Sequence, residues 1–143
     1  MGAIRVRAAA LVISEGHVLC ADHHRDGIWA PPGGGVDQGE TSAEAAVREL
    51  VEETGLAGAA SRLVFVVENK FSVKGARLEE VGFYHLVAVK AALWEGMRIG
   101  SEPHLRLRWL RLARIGGEDL RPAVLKPHLD PLPGSPLHLI NID

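Results

Sequence analysis

From Gly34 to Leu56 the chain reads GGVDQGETSAEAAVRELVEETGL, and no other stretch limits its local structure so closely. Thr41 is followed by Glu44 at the spacing of a capping box, in which each residue satisfies a backbone N–H of the other at a helix start. Gly55 supplies the stop, since glycine takes the left-handed turn that ends a helix. A helix is therefore predicted from Thr41 to about Thr54. Inside it, Arg48-Glu49-Leu50-Val51-Glu52-Glu53 gathers three carboxylates. On a wheel turning about 100° per residue, Ala43, Ala46, Val47 and Thr54 cluster around Leu50 as the expected buried face. Glu49, Glu52 and Glu53 fall together on the adjoining flank. Like charges at these spacings disfavour a helix by roughly a few tenths of a kcal/mol per pair. A bound divalent cation turns that cost into affinity, and oxygen-only ligands suit Mg²⁺ or Mn²⁺. On the residues alone, a solvated acidic face is the competing reading.

The stretch resembles the Nudix box, the signature of enzymes that hydrolyse a nucleoside diphosphate linked to another group. The fixed places of that pattern are filled here by Gly34, Glu40, Arg48, Glu49, Leu50, Glu52, Glu53, Gly55 and Leu56, with no departure. The preceding Trp29-Ala30-Pro31-Pro32-Gly33-Gly34 looks like the usual approach to such a box. The resemblance implies an α/β fold, an α/β/α sandwich with a mixed β-sheet, and one Nudix hydrolase domain over residues 1–143. It implies metal-dependent hydrolysis of a pyrophosphate bond in a nucleoside triphosphate, a dinucleotide or a nucleotide sugar. A Nudix module that senses a nucleotide without turnover is the alternative, and three intact acids speak against it.

The candidate site follows. Metal ions neutralise a diphosphate and lower the pKa of bound water, and a nearby carboxylate can take the proton. Glu52 and Glu53 are expected as metal ligands, and Glu49 as a ligand or the general base. The resemblance adds a backbone carbonyl at Gly34 (or Gly33) as a ligand and a further acid from outside the box, for which Glu102 is the candidate. It makes Arg48 and Glu40 structural supports that fix the loop against the helix, as a metal site needs its ligands held. Arg25, Trp29 and Phe71 are candidates for contact with substrate, although most aromatic side chains serve a core.

The bulk numbers exclude other classes. At 143 residues the chain is read as one domain with a proper core. A net charge of −2 carries no electrostatic footprint for nucleic acid or an anionic membrane, so the expected partner is a small-molecule nucleotide. The one cysteine, Cys20, rules out an intrachain disulfide and fits a reducing compartment. No apolar run is long enough to span a membrane, and the start, Met-Gly-Ala-Ile-Arg-Val-Arg, lacks the apolar stretch of a signal peptide. A cytoplasmic protein is expected. Many Nudix relatives are homodimers, and a homodimer is an open expectation.

Along the rest of the chain, Ile4 to Ile13 reads as a buried strand and His17 to Ala21 as its return. Asp22 to Pro32 reads as a loop. Two strands, Ser61 to Phe71 and Arg77 to Lys90, are joined around Gly75. Trp94 to Pro103 reads as a loop and Leu105 to Leu112 as a strand. A short helix interrupted by Pro122 and Pro127 is expected over Glu118 to His128, and Leu137-His138-Leu139-Ile140 as a docked edge strand.

Overall fold

The computed structural model describes residues 3–143, so the expectation about the chain start falls partly outside it at Met1 and Gly2. Strand β1 (Arg5–Leu11) alternates its small side chains between two cores. Ala8 and Ala10 face one side with Val12, while Ala9 and Leu11 face the other. That period of two is what a strand buried on both faces requires. At Val12 the chain leaves the first sheet and continues into β2 (Ile13–Ser14) of a second one.

The first sheet has five strands in the order β4-β1-β6-β5-β9. It comprises β1, β4 (Gly33–Gly35), the long hairpin of β5 (Gly58–Val73) and β6 (Ala76–Val89), and β9 (Leu137–Ile142). β1 runs parallel to β6 and β9 parallel to β5, while the other pairs are antiparallel, so the sheet is mixed. The second sheet holds β2, β3 (His17–Asp22), β8 (Arg106–Arg111) and β7 (Arg98–Ile99) in the order β2-β3-β8-β7.

The single α-helix among the described residues, α1 (Ser42–Thr54), lies on one side of the sheets. Its Ala45, Ala46 and Leu50 pack with Ala8, Ala10, Val12, Leu19, Val87 and Trp109. Alanines on both partners let helix and strand approach closely, which holds the acids of α1 over β4. The opposite side is closed by two 3-10 segments, Leu112–Gly117 and Ala123–His128. Their Leu112, Ile115 and Leu125 bury Phe65, Val67 and Tyr84. The layers are therefore helix, sheets, and a helical layer in 3-10 form.

Four expectations need correction. The segment Trp94 to Pro103, expected as a loop, holds β7 at Arg98–Ile99, paired with β8. The predicted helix over Glu118 to His128 forms 3-10 structure only at Ala123–His128, because prolines 122 and 127 remove donors that an α-helix needs. The segment Leu112–Gly117, expected partly as strand, also turns as 3-10. Of the face expected around Leu50, Leu50 and Ala46 are buried as expected, but Ala43, Val47 and Thr54 are only partly so, and Ala45 and Glu53 are buried in their place. The helix is rolled toward its acidic flank, which carries Glu53 and in part Glu49 inward and leaves Glu52 exposed. Leu137 to Ile142 docks as the expected edge strand. Among the described residues no helix is long and apolar enough to cross a membrane.

Candidate active site

The ends of α1 are set as its sequence predicts. Thr41 Oγ1 accepts from Glu44 N–H at 3.1 Å and Glu44 Oε1 accepts from Thr41 N–H at 3.0 Å. Gly55 closes the helix in the left-handed conformation, φ 75°, with its N–H on Val51 O at 2.8 Å. The register between β4 and the helix is then fixed by Arg48. Its Nε–H and Nη2–H donate in parallel to Glu40 at 2.7 and 2.9 Å, and Nη2 also reaches the carbonyl of Gly35 at 3.0 Å. Such a fork is the geometry at which arginine and carboxylate bind best. The guanidinium, helped by the N–H of Asp37, lowers the Glu40 carboxyl to about 2.

The same arginine touches two of the three acids. Arg48 Nη1 donates to Glu49 Oε1 at 3.0 Å and to both oxygens of Glu52 at 3.2 Å. Glu52 is exposed, whereas Glu53 is buried at 7% exposure. Glu53 Oε2 accepts the N–H of Gly33 at 2.7 Å, and its Oε1 is held by His23 Nε2. Glu49 is partly buried and lies over Gly34, where a Cβ would collide with its carboxyl group. Burial raises the pKa of Glu49, the charges of Glu53 and Glu52 add to it, and Arg48 opposes them. Gly33 meets Glu53 through its N–H, while a Cβ there would strike Ala8 and Ala9 of β1; at Gly34 the absent side chain is what leaves room for Glu49.

The donors fit a divalent cation in kind. Carboxylate oxygens and a backbone carbonyl are what hard cations take. As the side chains stand, no three of the acids, histidines or cysteines among the described residues surround a single point closely enough to hold an ion. Arg48 holds Glu52 aside.

The remaining candidates divide. Arg25 is exposed, with φ 55°, on the loop that carries His23. Glu102 is an exposed loop residue whose carboxylate pairs with His104 at 3.2 Å. The loop itself closes on the end of α1, since Ser101 N–H donates to the carbonyl of Glu53 at 3.1 Å. Trp29 belongs to the core, 4% exposed, with Arg106 and Arg108 each 5.9 Å from its ring. It packs in the core cluster of Phe65, Leu120 and Leu125, which holds no residue of α1, so the structure does not bring it to the acids. Phe71 pairs with Leu78 near the β5–β6 turn, and alternation puts it on the face of Phe65 and Val67, away from α1. It too leaves the candidate site.

Sequence reasoning missed His23 and the pair Asp22–Arg106. His23 gave no signal, because its partner lies 30 residues away and it stands in a polar run. Asp22 is fully buried and binds Arg106 Nη2 at 2.5 Å. Burial favours the neutral acid, but Arg106 and the N–H groups of Gly27, Asp26 and His24 outweigh it and hold the carboxyl well below its usual range.

Residues 3–130 match the sequence profile of the NUDIX domain. The RNA pyrophosphohydrolase of Erythrobacter litoralis is 37% identical over 108 residues, covering 73% of this chain and 57% of that protein. The chain thus spans less than two thirds of the length of that curated relative. A MutT NUDIX hydrolase from Burkholderia pseudomallei superposes with a TM-score of 0.63 at 27% identity, covering 78% of this chain and 86% of that one. A NUDIX hydrolase from Nitrosomonas europaea superposes over 100% of this chain and 81% of its own, with a TM-score of 0.74 at 18% identity, a likeness of fold.

Proposed function

The chain belongs to the Nudix family, and from that premise we propose that it is a divalent-metal-dependent hydrolase of a pyrophosphate bond in a nucleoside diphosphate derivative. The observation that carries the reading is the meeting of Glu49 and Glu53 at the glycines of β4, with Glu53 fixed on Gly33 N–H and Glu49 over Gly34. When bound, a cation such as Mg²⁺ neutralises diphosphate oxygens and acidifies the attacking water. Glu53 is the ligand best held in place. Glu49, half-buried among negative neighbours, is a ligand or the group that accepts the water's proton. Arg48 and Glu40 keep the glycine strand and the helix in register. Arg25 stands on the neighbouring loop as a candidate phosphate contact.

A nucleotide sensor without turnover is the second reading, and the grip of Arg48 on Glu49 and Glu52 favours it. One experiment separates the two. Phosphate and nucleotide release is measured with Mg²⁺ or Mn²⁺ across nucleoside triphosphates, ADP-ribose, NADH, coenzyme A, diadenosine polyphosphates, nucleotide sugars and an RNA with a 5′-triphosphate. The name of the Erythrobacter relative is the reason for the RNA arm. Metal-dependent turnover of one class supports the hydrolase. Tight binding of a member with no turnover anywhere in the panel overturns it in favour of the sensor.

A further inference from the structure

Both oxygens of Glu53 are engaged, and the two partners come from different elements. Gly33 N–H on β4 donates to Oε2 at 2.7 Å, and His23 Nε2 meets Oε1. Two donors on two oxygens define the plane of a carboxylate, whereas one donor leaves it free to turn. Gly33 is bound into the sheet by its pairing with Ala9, so its place is given by the backbone. His23 has no such support of its own. It is the first residue past β3, and its side chain is 37% exposed.

What holds His23 is the residue before it. The buried carboxylate of Asp22 accepts the N–H groups of His24 at 3.2 Å, Asp26 at 3.3 Å and Gly27 at 2.9 Å, which winds residues 23–27 around it. Arg106, its register partner on β8, neutralises it at 2.5 Å. The turn cannot rotate without uncovering a buried charge, an expensive change. The second sheet thereby delivers an imidazole to an acid of α1.

We propose that His23 is a positioning residue: it fixes the carboxylate of Glu53 for a divalent cation, and the Asp22–Arg106 pair fixes His23, a role that rests on Glu53 being a metal ligand. Hydrogen-bond partners of ligands commonly change metal affinity by about 10–100-fold. An ion pair that merely steadied the fold would change the melting temperature and leave metal affinity alone.

The test uses the full chain and Mn²⁺ alone, without nucleotide, with bound metal read from the loss of the free-ion electron paramagnetic resonance signal. His23→Ala is expected to weaken Mn²⁺ binding on the order of tenfold. His23→Gln, whose amide N–H can take the place of Nε2, is expected to recover most of the loss. In steady state, kcat of His23→Ala falls while the nucleotide KM stays unchanged. Circular dichroism checks folding. If the alanine variant does not fold, His23→Asn, too short to reach Glu53, takes its place. Wild-type Mn²⁺ affinity in the shortened variant overturns the proposal, and so does a glutamine variant as weak as alanine. A wild-type protein that binds no Mn²⁺ overturns the ligand role of Glu53 as well, and with it the hydrolase reading, so the two failures are distinguishable.

Discussion

The carboxyl group of Glu49 fills the space where a side chain at Gly34 would begin: a Cβ there would lie 2.6 Å from its Cδ and 2.8 Å from its Oε2. Gly34 has no left-handed φ, so backbone freedom does not explain the glycine, and close approach does. Gly34→Ala must push Glu49 off the strand. A displacement of about 1 Å in a reacting arrangement can cost on the order of a hundredfold in rate. The expected outcome is a kcat loss of that order with a melting temperature within a few degrees of wild type. Unchanged kcat would remove Glu49 from the site.

How much of this was legible in the sequence differs from element to element. The limits of α1 were, because Thr41, Glu44 and Gly55 act on backbone groups within one turn of themselves. Its roll was not. The wheel sets Ala43, Val47 and Thr54 on one flank of Leu50 and the acids on the other, so apolarity alone points the buried face away from the acids. The choice falls to Glu53, whose partners Gly33 and His23 are remote in sequence. The Arg48–Glu40 contact was expected from the Nudix resemblance and is present as a fork. The burial of Trp29 was not legible, because composition cannot tell a ring at a cleft from one in a core. Here its N–H and carbonyl bind Asp119 and Arg121, residues some 90 positions away. The 3-10 layer was half legible: its prolines announced an interruption but not the form that survives it.

The Glu40–Arg48 fork sets a pH dependence of stability. The folded-state pKa of Glu40 is lowered to about 2, with the Arg48 hydrogen bonds as the largest cause, against about 4.3 for an unfolded glutamate. A depressed carboxyl contributes stability that is present above the unfolded value and is lost as pH falls through the folded one. Glu40→Gln lacks that contribution. Its melting temperature is expected below wild type at pH 7, with the gap narrowing from about pH 5 downward and closing near pH 2. Added salt should narrow it too, since the pair is partly exposed. Melting curves across that range check the sign, and parallel pH profiles would refute the assignment.

Glu53→Gln tests the ligand role with least disturbance of the fold. The amide oxygen can still accept from Gly33 N–H, while the amide NH2 then faces His23 Nε2, so the change removes the charge and alters one of the two hydrogen bonds. A metal contribution of several kcal/mol to the transition state corresponds to a loss on the order of a thousandfold in kcat/KM. Excess EDTA should abolish activity of the wild-type protein, and added Mg²⁺ or Mn²⁺ should restore it. Near-normal turnover in Glu53→Gln, or activity that survives chelation, would sink the metal assignment.

Asp22→Asn should be far more damaging to stability than any change in the box. Asp22 is fully buried, and Arg106 Nε is itself buried without a partner, so the arginine depends on this carboxylate for neutralisation. Removing one member of a buried pair typically costs about 3–5 kcal/mol, because the other charge is left uncompensated. Against a total stability of roughly 5–15 kcal/mol, that is a large fraction, on the order of 10–20 °C in melting temperature for a domain of this size. The carboxyl is held well below its ordinary range by Arg106 and three backbone N–H groups acting against burial. The penalty is therefore expected throughout neutral and mildly acid pH. Urea unfolding of wild type and Asp22→Asn at pH 7 measures it. Arg106→Met in the Asp22→Asn background should recover part of the loss by removing the orphaned charge, as replacement of buried ion pairs by apolar side chains often does. A loss below about 1 kcal/mol in the single variant would mean that solvent reaches the pair and that the turn carrying His23 is held by its backbone hydrogen bonds alone.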